Sequence, residues 1–150
     1  MNRQAASIIK LLLTASALGA TACSQEQPQQ LITIADARAD AAQFIDAGEP
    51  GDSVGDLLVF NQPLLDEQRN AVGNNSGTCI RTRVGHSFQC QWTLTFDNGG
   101  IQVAGREFDQ GISDISIVGG TGRYAGITGE MTSVNNNDDT FTQTLRYRIR

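Results

Sequence analysis

The chain has 150 residues and a formal net charge of −5, sized for one domain and without the basic surplus that nucleic acid or an anionic headgroup layer would require. About 125 residues beyond the first segment can bury a sizeable core, so folding needs no disulfide staple. Lysine occurs only at Lys10, while glycine, threonine, isoleucine and valine are frequent, which leans the composition towards sheet.

The N-terminal segment reads as an address. Arg3 and Lys10 precede Leu11–Ala22, a run without a charge that ends in small side chains. This is the layout of a secretory signal, with a basic start, a short apolar stretch and a small-residue cleavage site. As a helix the run would span about 18 Å, short of a ~30 Å hydrocarbon core, so a permanent membrane helix is not expected. Residues 1–22 are therefore assigned to a signal peptide, whose removal takes away Arg3 and Lys10 and moves the charge from −5 to −7.

Two kinds of processing fit, and both cut before Cys23. Ala20-Thr21-Ala22 suits an ordinary signal peptidase, and the same residues before a cysteine also read as a lipobox, with Ala20 where leucine is usual. Acyl chains on Cys23 would anchor the protein to a bacterial membrane, facing the periplasm or cell exterior; without them it would be secreted. Residues 23–30 are polar and form a tether. Cysteine arithmetic agrees with lipidation: of three cysteines, Cys23 takes the lipid and Cys79 and Cys90 remain as a pair.

Residues 31–150 form the domain. Asp36–Ile45 is alanine-rich with acids on several sides and reads as helical, ending at the loop signal Gly48-Glu49-Pro50-Gly51. Strands are expected at Leu31–Ala35, Gly55–Leu65, Ala71–Arg83, Ser87–Phe96, Ile101–Phe108, Ser113–Val118, Ile127–Val134 and Thr140–Arg150, separated by turn residues. About eight strands at this spacing predict an all-β fold, a single closed antiparallel β-barrel.

The period of two assigns faces. Phe88, Cys90, Trp92, Leu94 and Phe96 share one side of their strand, and Phe141, Leu145, Tyr147 and Ile149 share one side of theirs. If Val84-Gly85 is a hairpin tip, Cys79 lies directly opposite Cys90, within disulfide reach in an oxidising compartment. The alternative is two free buried thiols.

Few motifs carry chemistry. Gly119-Gly120-Thr121-Gly122 lacks the Lys-Ser/Thr and the helix of a phosphate loop and reads as a tight turn. His86 is the sole histidine, which excludes a multi-histidine metal site and disfavours a Ser-His-Asp triad. The Asp52/Asp56 and Asp138-Asp139 pairs lack calcium-loop spacing. No metal and no cofactor is expected.

Three longer strings occur in order: Gly51-Asp52-Ser53-Val54-Gly55-Asp56-Leu57-Leu58-Val59-Phe60, then Gly77-Thr78-Cys79, then Asp97-Asn98-Gly99-Gly100-Ile101-Gln102-Val103-Ala104-Gly105. A fourth, Ile117-Val118-Gly119-Gly120-Thr121-Gly122-Arg123-Tyr124-Ala125-Gly126-Ile127-Thr128-Gly129, is the most specific. Together, from Gly51 to about Val134, they resemble the allene oxide cyclase-like barrels, a superfamily shared with plant dirigent proteins. The resemblance implies a barrel whose lumen holds an apolar small molecule in a reactive shape, by orientation more than by proton chemistry. Many members are homotrimers, so a trimer is one expected assembly.

Carried over by position, Cys79 falls on the cyclase's lumenal cysteine. Gln62 lies about where an asparagine helps bind an ordered water, and Asp36 falls loosely on a second such asparagine. The first-strand glutamate that assists epoxide opening has no match, Ile34 being nearest, so an allene oxide cyclase proper is not expected. The ligand-binding candidates are Asp36, Phe60, Gln62, Trp92, Leu94 and Tyr147, with Ile32 and Ile34 on the same inward faces. Asp36 is the one candidate acid or base, on condition that burial moves its pKa towards working pH. Three functions fit: a binding or steering barrel, a cyclase or isomerase of secondary metabolism, and a structural lipoprotein with a filled core. Contact with a membrane is expected only through the lipid.

Overall fold

The computed structural model describes residues 27–150, so the expected signal segment and Cys23 lie outside the described residues. The strands are β1 (Gln29–Asp36), β2 (Gln43–Ile45), β3 (Leu57–Leu65), β4 (Ala71–Arg83), β5 (Ser87–Phe96), β6 (Gly99–Phe108), β7 (Ile112–Gly120), β8 (Ile127–Asn135) and β9 (Thr140–Ile149). Neighbours along the sheet run β1-β9-β8-β7-β6-β5-β4-β3-β2, and β1 also pairs with β3 through Ile34–Leu65 and Ala35–Leu64. That last pairing closes an antiparallel barrel of eight staves and leaves β2 as an extra strand.

The expected strands are present with small shifts at their ends, and Ala71–Arg83 and Ser87–Phe96 keep their limits. The expected helix over Asp36–Ile45 is absent: residues 37–40 turn, and Gln43–Ile45 form β2. An alanine-rich stretch of this length has no apolar stripe to pack, and short isolated helices are marginal. The first half of β3 instead offers a free edge, because β1 reaches only Leu64 and Leu65; β2 takes that edge through Gln43–Val59, Phe44–Leu58 and Ile45–Leu57.

Register decides what faces inward. On β5 the expected alternation holds, with Cys90, Trp92 and Leu94 buried and Gln89, Gln91 and Thr95 exposed. On β1 it is reversed. Leu31 and Ala35 join the interior cluster, whereas Ile32 and Ile34 lie in the opposite phase. Both faces of β1 carry apolar residues, so hydrophobicity alone could not fix its phase. A buried hydrogen bond from the Thr33 hydroxyl to Gln143 Oε1 (3.2 Å) on the inward side does so.

The β4–β5 hairpin brings Cys79 opposite Cys90 with Cα atoms 4.0 Å apart, and the two sulfurs are bonded. At the other end, a short 3₁₀ turn (Gly122–Tyr124) seats Tyr124 inside, beside Phe96 (ring centroids 5.5 Å) and Tyr147 (6.3 Å). Gly122 has φ +59, and a Cβ there would strike the Asn98 carbonyl, which accepts the Arg123 amide at 2.9 Å. This close approach explains the glycine after Thr121.

Candidate functional site: one half of the lumen

Below the level of Gln143 the barrel is packed solid: Leu64, Leu94, Ile101, Val103, Met131 and Leu145 are fully buried. Above it lies a cavity of about 370 Å³ that opens at one end. Its apolar wall is Leu58, Phe60, Trp92, Phe141 and the Cys79–Cys90 cystine; its polar wall is Gln62, Asn75, Gln143, Ser133 and Glu107. Ala37, Ala41, Ala42 and Asp139 line the mouth.

Amides form the floor. Gln143 accepts from Thr33 and donates through Nε2 to Asn75 Oδ1 (3.4 Å), which joins β9 to β4 across the interior. Gln62 is paired with Asn75 along the β3–β4 ladder and is buried beside them. Phe60 meets Trp92 edge to face, with centroids 6.4 Å apart.

Glu107 is the distinctive group. Strand β6 alternates Ile101, Val103, Gly105 and Glu107 towards the interior, so the carboxyl enters the lumen on the same face as the core. The Ser133 hydroxyl donates to its Oε1 at 2.7 Å, while Oε2 is buried without a partner. Burial raises the carboxyl pKa from 4.5 to about 7, against the smaller opposing effect of Ser133. Near neutrality it can therefore hold or release a proton.

Arg81 also turns inward on β4 but is already matched. It pairs with Asp52 and Asp109 (2.6 Å each) and stacks on Phe88 with its guanidinium carbon 3.6 Å from the ring centroid. The loop before β3 is anchored by Asp56, wholly buried, which accepts from the Ala47 and Ser53 amides and the Ser53 hydroxyl. Its carboxyl lies below the usual range, first through the Ala47 backbone hydrogen bond. Of the aspartates considered for calcium, Asp52, Asp56 and Asp138 are thus engaged in local structure, Asp138 holding the amide and hydroxyl of Thr140.

Of the expected ligand-binding residues, Phe60, Gln62 and Trp92 line the cavity together. Leu94 lies under the floor and Tyr147 deeper still, beside Tyr124. Asp36 is on the outer face with Ile34, gripped by Arg38 through two hydrogen bonds of 2.8 Å. That side-chain contact is the main reason its carboxyl is held below the ordinary range, opposite to what an acid or base at neutral pH needs. Glu107, Asn75, Gln143 and Ser133 were not among the expected residues. The signal was present: Glu107 and Gln143 are in phase with the apolar faces of their strands.

The sequence matches the family model described as Dirigent-like protein over residues 22–150. None of the curated protein sequences matches the chain. Among solved structures, a pyocyanin demethylase is 26% identical and superposes with a TM-score of 0.68, over 80% of this chain and all of that one. A pterocarpan synthase dirigent protein is 18% identical with a TM-score of 0.61, covering 81% of this chain and 94% of that one. A heme-binding cyclase that catalyses a [4 + 2] cycloaddition is 19% identical with a TM-score of 0.66, covering 85% and 66%. The last two likenesses bear on fold alone. With the whole domain inside the matched span, the chain belongs to the dirigent-like protein family.

Proposed function

We propose that this protein binds an apolar small molecule in the open half of its lumen and holds it in a reactive shape. The observation that carries the reading is the cavity itself, about 370 Å³ with aromatic walls and a few convergent polar groups on rigid strands. A structural protein with a filled core has no need of such a space. The pyocyanin demethylase that the chain resembles is named for acting on a small organic molecule, which points the same way.

Nile red, an uncharged probe that brightens in apolar surroundings, tests the reading. The wild type should bind it, and Ala42→Trp at the mouth should weaken binding about tenfold or more. Gln91→Ala on the exposed face of β5 should leave binding unchanged. Equal binding by all three, or none by the wild type, removes the lumen as a site.

A second reading, a cyclase or isomerase, is favoured by Glu107. A carboxyl with a pKa about 7 in a largely apolar cavity suits proton transfer to or from a bound molecule. Export and lipidation at Cys23 complete the proposal, on the strength of the basic start, the apolar run and the small residues before the cysteine. Intact mass of membrane-extracted protein should show acyl chains that vanish in Cys23→Ala; an unmodified, freely soluble mature protein contradicts the anchor.

A further inference from the structure

The lumen opens at one end of the barrel, and the chain enters at the other. Strand β1 starts at Gln29, paired with Tyr147 in the packed half, and reaches the mouth only at Asp36, beside Thr140. Strand rise and barrel tilt put its start roughly 20 Å below the mouth. Cys23 stands before Gln29 by a short polar tether, so a lipid there holds the packed end within roughly 20 Å of the bilayer surface.

Charge is divided between the same two ends. The segments around the mouth, residues 36–56, 109–111 and 136–139, carry nine acids and one arginine. At the packed end β9 turns Arg146 and Arg148 outward, Arg150 follows them, and the 3₁₀ turn adds Arg123; all four are exposed. Beside the start of β1 a groove of about 510 Å³ runs over the outer wall, lined by Pro28, Thr128, Arg146 and Arg148, with Glu130 as its one acid. Among the described residues the ion pairs are Arg38–Asp36, Arg81–Asp52 and Arg81–Asp109, and Arg123, Arg146 and Arg150 take part in none of them. Val118 on β7, 55% exposed, adds an apolar side chain to the same flank. Asp66, Glu67 and Asp97 lie in the turns on the opposite flank of this end. The net charge of −5 conceals this local basic excess.

We infer that the β8–β9 flank of the packed end lies against a membrane surface rich in acidic phospholipids, with the mouth of the lumen turned away into water. The inference rests on the anchoring of Cys23 proposed above and adds the face that meets the membrane. Each arginine beside an acidic leaflet strengthens binding about fivefold. That is too little to hold a free acidic protein, but a short tether already keeps the flank at a local concentration of about millimolar. Guanidinium groups donate to lipid phosphates, while the same leaflet repels the acids around the mouth, so both ends favour one orientation. A ligand then enters the lumen from the aqueous compartment and not from the bilayer.

Arginine footprinting tests the orientation. Protein extracted with its native N-terminus is placed on vesicles of phosphatidylcholine, alone or with phosphatidylglycerol, and labelled with phenylglyoxal; peptide mass spectrometry then reads each arginine. Where intact mass shows Cys23 bare, the same protein is coupled through that thiol to a maleimide-bearing lipid. With phosphatidylglycerol present, Arg123, Arg146 and Arg150 should react about fivefold more slowly and recover in high salt. Arg83, at the mouth end of β4, should react alike on both vesicles. Arg146→Gln combined with Arg150→Gln should return Arg123 to its rate on phosphatidylcholine. The wild-type comparison needs no variant to fold. Equal rates on the two vesicles, or protection of Arg83 instead, overturn the docking face and leave the anchor standing. A bare Cys23 overturns the anchor, and the coupled protein still decides the face.

Discussion

The two halves of the barrel are built from the same strands and serve opposite ends. On β5, Leu94 is fully buried in the packed half while Trp92 and Cys90, two and four residues earlier on that face, line the cavity. On β9, Leu145 is fully buried and Phe141 and Gln143 face open space. The packed half is filled by branched aliphatics, Met131 and a tyrosine pair; the open half places alanines at its mouth and amides and a carboxyl on its wall. Interiors close-pack when side-chain volume matches the space, so small residues at the mouth leave room that the core does not. One half therefore supplies stability and the other can spend some of it on polar groups that a solid core would exclude.

The largest expected effect lies in the packed half. Leu94→Ala should destabilise by about 4 kcal/mol, since a fully buried leucine leaves a cavity its neighbours cannot fill. Chemical denaturation measures it, and a loss under about 1 kcal/mol would mean that this half is not the stabilising one.

Next comes the staple of the open half. Replacing Cys79 and Cys90 together with alanine should cost about 3 kcal/mol, the loop-closure entropy of a link across 11 residues. The same midpoint before and after reduction of the wild type would show the open half standing without it.

Glu107→Gln should act with the reverse sign. Folded Glu107 keeps its proton to about pH 7, while an ordinary carboxyl loses it near 4.5. The folded state therefore binds more protons between those values, and wild-type stability falls as pH rises through that window. The variant escapes the penalty and should gain up to about 3 kcal/mol over the wild type at pH 8, and almost nothing at pH 4. Stability curves for the two proteins that run parallel with pH would contradict this.

The smallest effect belongs to Gln62→Leu, expected to change stability by less than about 1 kcal/mol because the cavity accepts the new side chain. A loss as large as that of Leu94→Ala would show the two halves to be packed alike.

Much of the barrel was legible because alternation and turn residues agree along β4 to β9, and the hairpin at Gly85 put Cys79 opposite Cys90 before any coordinates. Two segments misled. The alanines of Asp36–Ile45 suggest a helix where Ala37, Ala41 and Ala42 are the small lining of a mouth, and β1, apolar on both faces, hides its phase. The site was half visible. Phe60, Gln62 and Trp92 followed from aromatic and amide residues in phase with the core, whereas Asp36 was placed inside by the wrong phase of β1. Glu107 escaped notice because a glutamate near the end of a strand reads as a solvated terminus. Its phase with Ile101 and Val103 was the signal on offer, and its register beside Phe88 and the Ser133 hydroxyl on its carboxyl place it inside.

The central claim is that the open half is a desolvated chamber built around Glu107 and not a solvated rim. Carbon-13 NMR of the side-chain carboxyls tests it most directly, with the Glu107 signal assigned by its disappearance in Glu107→Gln. The account predicts a titration midpoint about 7 for that signal. A midpoint at the ordinary value of 4.5 would contradict it.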